Sequence, residues 1–206
     1  DKNRFLSSQG LSLGYLYSAP PLRIKSKSWL APVTLILILA ILPVLFAYIS
    51  FMSVINPIFL IALVGLALTV YGVIIPTEVR DYFGDKTMGI ETMTVHLGLV
   101  KASILSMILL SLGCALIGIA YSITFAYGQY PLLSLLVLTI PTADLIVLKK
   151  INKLYSLSKE YEHSKDQDRI AEEIVTFSAD NPKWIMLVTQ TYSLLSIAFL
   201  VSKFIS

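Results

Sequence analysis

From Trp29 to Met52 the chain carries no charged residue, and the same holds from Ile58 to Thr77 and from Ala102 to Ala143. Uninterrupted apolar runs of this length constrain the fold more than any other feature. At about 1.5 Å rise per residue, some 20 helical residues cross a hydrocarbon layer of about 30 Å. In lipid every backbone N–H and C=O must be satisfied within the protein, so such runs become helices packed side by side. With 56% hydrophobic and 14% charged residues, the chain is far too apolar for a soluble domain and is expected to be a polytopic all-α membrane protein.

The runs divide at their turn signals. Asn56-Pro57 separates Trp29–Met52 from Ile58–Thr77, which predicts a tight helical hairpin. The stretch from Ala102 to Ala143 is too long for one span and is interrupted by Ala126-Tyr127-Gly128-Gln129-Tyr130-Pro131, so it reads as two helices. Trp184–Ser202 makes a last span, for five complete spans in all. Phe5–Tyr17 is too short to cross and reads as the end of a further helix, so the domain, residues 1–206, is expected to be N-terminally truncated. Between Lys149 and Lys183, apolar Ile151, Leu154, Tyr155, Tyr161, Ile170, Ile174 and Phe177 recur at helical spacing among dense charge. Residues 149–183 are therefore expected to be amphipathic helices that lie on the membrane or extend the preceding span.

Threading the chain through five spans places the loops at 18–28, 77–101 and 149–183 on one side and those near 53 and 128 on the other. The first side holds Arg23, Lys25, Lys27, Arg80, Lys86, Lys101 and every basic residue from Lys149 to Lys183, whereas the second has Lys203. By the positive-inside rule the first side is cytoplasmic. The net charge of +3 follows this asymmetry and gives no reason to expect a nucleic-acid partner. A lone cysteine, Cys114, excludes an internal disulfide and a zinc cluster.

Two segments on the cytoplasmic side carry chemistry. In Tyr17-Ser18-Ala19-Pro20-Pro21-Leu22-Arg23-Ile24-Lys25 the paired prolines hold the backbone extended, so Arg23 and Lys25 point the same way, as suits an anionic ligand. Alone, such a cluster more often marks topology or touches anionic lipid. The second segment, Pro76 to Gly98, reads as an acidic loop with Glu78, Asp81 and Asp85, interleaved with Arg80 and Lys86. Asp81 and Asp85 lie one helical turn apart, so both can face one cation, and magnesium commonly takes one or two carboxylates together with phosphate oxygens and water. Without a second anchor, a solvated loop of self-paired charges explains them equally well. His96, with no ligand partners near it in sequence, reads as a loop residue, and Asp144 as an interface or packing residue.

Taken together, Tyr17-Ser18-x-Pro20-Pro21-x-Arg23-x-Lys25, two spans, and Glu78-x-x-Asp81-x-x-Gly84-Asp85-x-x-x-Gly89-x-x-Thr92-x-x-Val95-x-Leu97-Gly98 resemble the second half of the UbiA superfamily of intramembrane prenyltransferases. The resemblance implies part of a nine-helix bundle whose lipid-facing cavity binds Mg²⁺ and the diphosphate of an isoprenyl donor. It implies transfer of the isoprenyl chain to an aromatic or lipid-alcohol acceptor, as in quinone or isoprenoid lipid biosynthesis. Carried over to this sequence, Asp81 and Asp85, with Glu78, would hold magnesium, while Arg23, Lys25, Tyr17 and Lys86 would bind the diphosphate. The family's first motif, NDxxDxxxD, is absent, so the chain would supply half of the metal site. The alternative is a non-catalytic prenyltransferase-like subunit that joins a partner in a larger membrane complex. A transporter fits less well, because charge clusters in the loops and Asp144 alone falls within a span.

Overall fold

A computed structural model describes Ile24 and residues 27–126 and 131–205 of the chain, and among them the fold is all helical, with one isolated backbone bridge and no strand. The first rod comprises α1 (Leu30–Ile36), a π-helical stretch (Leu37–Ile41) and α2 (Leu42–Phe51). Pro43 enters at the start of α2. It has no N–H and crowds the preceding turn, and the wider π stretch absorbs that crowding.

The expected hairpin forms, and Tyr48 closes it. Its hydroxyl donates to Val54 O at 3.2 Å and accepts from Asn56 N at 3.2 Å, while its ring stacks on Phe59 at 3.7 Å. Asn56 caps α3 (Pro57–Thr87), accepting from Ile58 N at 2.8 Å, and Pro57 takes the first-turn position where no N–H is needed. After α3 come the single-turn α4 (Met93–Leu97) and the long α5 (Leu99–Ala126). A 3₁₀ stretch (Pro131–Leu138) leads into α6 (Thr139–His163), followed by α7 (Gln167–Ser178) and α8 (Asn181–Ile205).

The α3–α5 pair is the most extensive contact in the fold. It relies on missing side chains: a Cβ at Gly72 would lie 2.8 Å from Leu110 N, and one at Gly113 would lie 2.7 Å from Gly65 O and closer still to the Thr69 hydroxyl. Lipid provides no hydrophobic drive between helices, so backbone approach through small residues contributes most of the packing there.

Sequence and structure differ most at α3. The acidic segment was expected to leave the helix near Thr77, yet α3 runs ten residues further, and Pro76 sits inside it. An internal proline removes the bond to the carbonyl four residues back and strains the turn. Here other helices supply donors. The Ser106 hydroxyl of α5 donates to Gly72 O at 2.6 Å, and Asn181 Nδ2 of α8 donates to Val73 O at 2.9 Å and to the Thr77 hydroxyl oxygen at 2.6 Å. Neighbouring helices thus satisfy the interrupted turn, and the helix continues through it.

Three helices among the described residues are long and apolar enough to cross a membrane, over Leu30–Ser50, Pro57–Thr87 and Leu99–Phe125. Of the two further expected spans, the one after residue 130 is divided between 3₁₀ and α-helix, and α6 reaches Lys149 and Lys150 soon after it begins. Trp184–Ser202 falls within the continuous helix α8.

The amphipathic segment resolves into the second half of α6 and all of α7. Ile151–His163 extends the helix that begins at Thr139, one of the two arrangements expected. The apolar sides of α6 and α7 face protein: Leu154 of α6 and Ile170 and Ile174 of α7 have no exposed surface and pack with Ile75, Val79 and Tyr82 of α3, and Phe83 of α3 meets Tyr161 of α6 edge-on at 5.3 Å. The α6–α7 hairpin therefore braces the end of α3 that carries the acidic residues.

Candidate active site

Because α3 continues past Pro76, Glu78, Asp81 and Asp85 stand on consecutive helical turns within an arc of about 60°. The helix ends where its last turn folds back on itself. Met88 N bonds to Gly84 O at 3.0 Å, the Thr87 hydroxyl donates to the same carbonyl at 2.8 Å, and Gly89 takes φ 66°, a left-handed conformation that suits glycine. Thr92 then caps α4, its hydroxyl accepting from Val95 N at 3.3 Å. Gly98, at φ 80°, turns the chain into α5.

The acidic side chains have different surroundings. Asp81 is exposed and forms an ion pair with its neighbour, Arg80 Nε to Oδ1 at 2.9 Å. Such surface pairs contribute about 0–1 kcal/mol, so a stronger ligand can displace Arg80. Asp85 is half-buried, near enough on the same face for its charge to act on Glu78. Glu78 itself points into the fold: its Oε2 accepts from the Thr94 hydroxyl at 2.9 Å and its Oε1 from the Tyr71 hydroxyl at 3.5 Å. Lys86 turns back over Tyr82, with Nζ 3.4 Å from the phenol oxygen and 5.4 Å from the ring centre.

The acidic segment also meets the chain entering α1. Lys27 and Glu91 form a parallel backbone bridge, and Trp29 meets His96 edge-on at 5.8 Å. Lys27 lies two residues past Lys25 in the sequence, at the end of the basic segment. Tyr17, Arg23 and Lys25 themselves lie outside the described residues.

No group of three or more His, Cys, Asp or Glu side chains is placed to hold a metal among the described residues. The donor chemistry still suits magnesium carried on a phosphate ligand, which asks the protein for one or two carboxylates rather than a full cage. Asp81 and Asp85 can supply two oxygen donors from adjacent turns.

A sequence model of the UbiA prenyltransferase family matches residues 5–158. The chain belongs to the UbiA prenyltransferase family. Neither the curated proteins nor the solved structures searched gave a match. The UbiA match takes in the basic segment, all of α3 to α5 and the brace formed by α6, and it stops before α7 and α8. Family membership and the three apolar helices make this an integral membrane protein of a prenyltransferase family.

Several residues that shape this site carried no signal in the motif pattern. Thr94 and Tyr71 hold Glu78, and Trp29 meets His96. Tyr71 had one available cue, since it stands seven residues before Glu78, on the same helical stripe. Ser106 and Asn181 had none, because their contribution depends on which helices pack beside Pro76.

Proposed function

We propose that this chain serves transfer of an isoprenyl group from a prenyl diphosphate to a hydrophobic aromatic or lipid-alcohol acceptor, at the cytoplasmic face of a membrane. The observation that carries the reading is that Lys27 and Trp29, which follow the basic segment in sequence, meet the acidic segment through the Lys27–Glu91 bridge and the Trp29–His96 contact. The basic segment, which ends two residues before Lys27 in sequence, is then assigned to the same end of the bundle as Asp81 and Asp85. In this reading five spans place both segments on the cytoplasmic side, as the distribution of basic residues suggests.

The chemistry assigned to each group follows from where charge develops. Breaking the allylic C–O bond sends the electron pair to the leaving diphosphate. An acceptor carbon or hydroxyl oxygen supplies the pair for the new bond and loses a proton. Arg23 and Lys25, with Tyr17 beside them in sequence, are assigned to the diphosphate, and Asp81 and Asp85 to the magnesium that accompanies it. Bound Mg²⁺ supplies charge neutralisation to the departing phosphate oxygens. The apolar helices keep water from the electron-poor allyl carbon.

Incubating the intact protein in membranes with allylic diphosphates and candidate acceptors, followed by mass spectrometry of the lipids, tests this. The expected result is an acceptor heavier by one prenyl group, which identifies donor and acceptor together. If a folded protein yields no product from any pair yet co-purifies with a fixed membrane partner, the non-catalytic subunit reading replaces this one.

A further inference from the structure

Glu78 belongs by sequence to the acidic motif, yet the structure uses it differently from Asp81 and Asp85. Each of its oxygens already accepts from a protein hydroxyl, Oε2 from Thr94 at 2.9 Å and Oε1 from Tyr71 at 3.5 Å. Both donors are deep in the fold, Thr94 at 1% exposure and Tyr71 at 3%. Asp81, by contrast, has a side chain 52% exposed and, among the described residues, is held by Arg80. A carboxylate drawn inward by two buried hydroxyls is oriented toward the protein, not toward an incoming phosphate.

The Thr94 bond reaches further than its two residues. Thr94 stands in α4, which has five residues, far fewer than a helix needs to persist on its own. Contacts must hold α4 in place, and Met93 and Thr94 are its buried residues. The same short segment carries His96, which meets Trp29, and follows Glu91, which bridges Lys27. A continuous chain of contacts therefore runs from α3 through Glu78 and Thr94 to α4, and from there to Lys27 and Trp29, just before α1.

We propose that Glu78 is a positioning residue that latches α4 to α3 through Thr94 and Tyr71, and so sets the chain at Lys27 and Trp29, just before and at the start of α1, against the acidic end of α3. The latch stands on the contacts alone, whereas its consequence for donor binding rests on the prenyl-diphosphate reading. A hydrogen bond to a charged group is worth roughly tenfold in an equilibrium, and that sets the scale of the effects expected.

Two measurements separate the latch from the function. The first replaces Cys114 with Ser in the full chain, introduces K27C and E91C, and follows disulfide formation in membranes under mild oxidation. The paired backbone positions should cross-link readily. Adding Thr94→Val should slow the reaction by roughly tenfold, and Thr94→Ser should restore it. An unchanged rate in the Thr94→Val protein would overturn the proposal, whether or not the protein transfers a prenyl group.

The second measures prenyl transfer in chains without the added cysteines. Thr94→Val should raise the donor KM by roughly tenfold and leave the magnesium dependence where it was. Glu78→Gln, which keeps an oxygen acceptor for Thr94, should likewise leave the magnesium dependence unmoved. If Glu78→Gln shifts the magnesium requirement as far as Asp85→Asn does, Glu78 is a metal ligand and the proposal fails. If the unsubstituted protein transfers nothing, the functional reading fails, and cross-linking alone decides the latch.

Discussion

At the scale of single residues, the fold turns on polar groups that answer one another across helices. Asn181 has no exposed surface, and its amide spans the turn opened by Pro76, touching Val73 O and the Thr77 hydroxyl. Asn181→Ala should remove the amide donor shared by Val73 O and the Thr77 hydroxyl and cost about 1–3 kcal/mol for the two buried bonds lost, read as a lower unfolding midpoint in detergent. Asn181→Asp, which keeps the size but loses the donor amide, should be at least as damaging. Legibility at this scale is uneven. The spacing of Asp81 and Asp85 is enough to place them one turn apart, because helix geometry is local. The inward turn of Glu78 has no such signature, since it depends on Thr94 arriving from sixteen residues away through a turn and a second helix.

Among elements, the uncharged runs and Asn56-Pro57 made the first hairpin legible, because span length and capping are local properties. The length of α3 was not. The polar stretch from Pro76 read as a loop, yet the helix continues because Ser106 of α5 donates to Gly72 O, the carbonyl the proline cannot serve, and Asn181 of α8 bonds the same turn at Val73 O. Amphipathic α7 was also ambiguous, since a membrane surface and a protein surface demand the same apolar stripe. It packs on protein, with Ile170 and Ile174 in one cluster with Ile75, Val79 and Tyr82, on the turns of α3 that carry Glu78 and Asp81. Ile174→Ala should therefore cost about 2–5 kcal/mol of local stability. Hydrogen exchange should show faster opening of both α7 and the end of α3, whereas a helix resting on lipid would loosen alone.

For the molecule as a whole, the brace of α6 and α7 and the Lys27–Glu91 bridge converge on the end of α3 that carries Glu78, Asp81 and Asp85, while the close α3–α5 pair holds the turns before it. The proposed function assigns prenyl-transfer chemistry to that end, and the distribution of basic residues is the ground for assigning it to the cytoplasmic side. Cysteines placed in a Cys114→Ser background at Met88 and at Val54 should react oppositely with an impermeant thiol reagent applied from outside intact cells. Val54→Cys should label and Met88→Cys should not; the reverse pattern would overturn the orientation.

The measurement that bears most directly on the central claim is prenyl transfer by the intact protein with Asp81 and Asp85 each replaced by Asn. The account predicts product in the unsubstituted protein and a loss of about 10²–10³-fold in each variant, with helical content and unfolding midpoint retained. Undiminished transfer by either folded variant would contradict it.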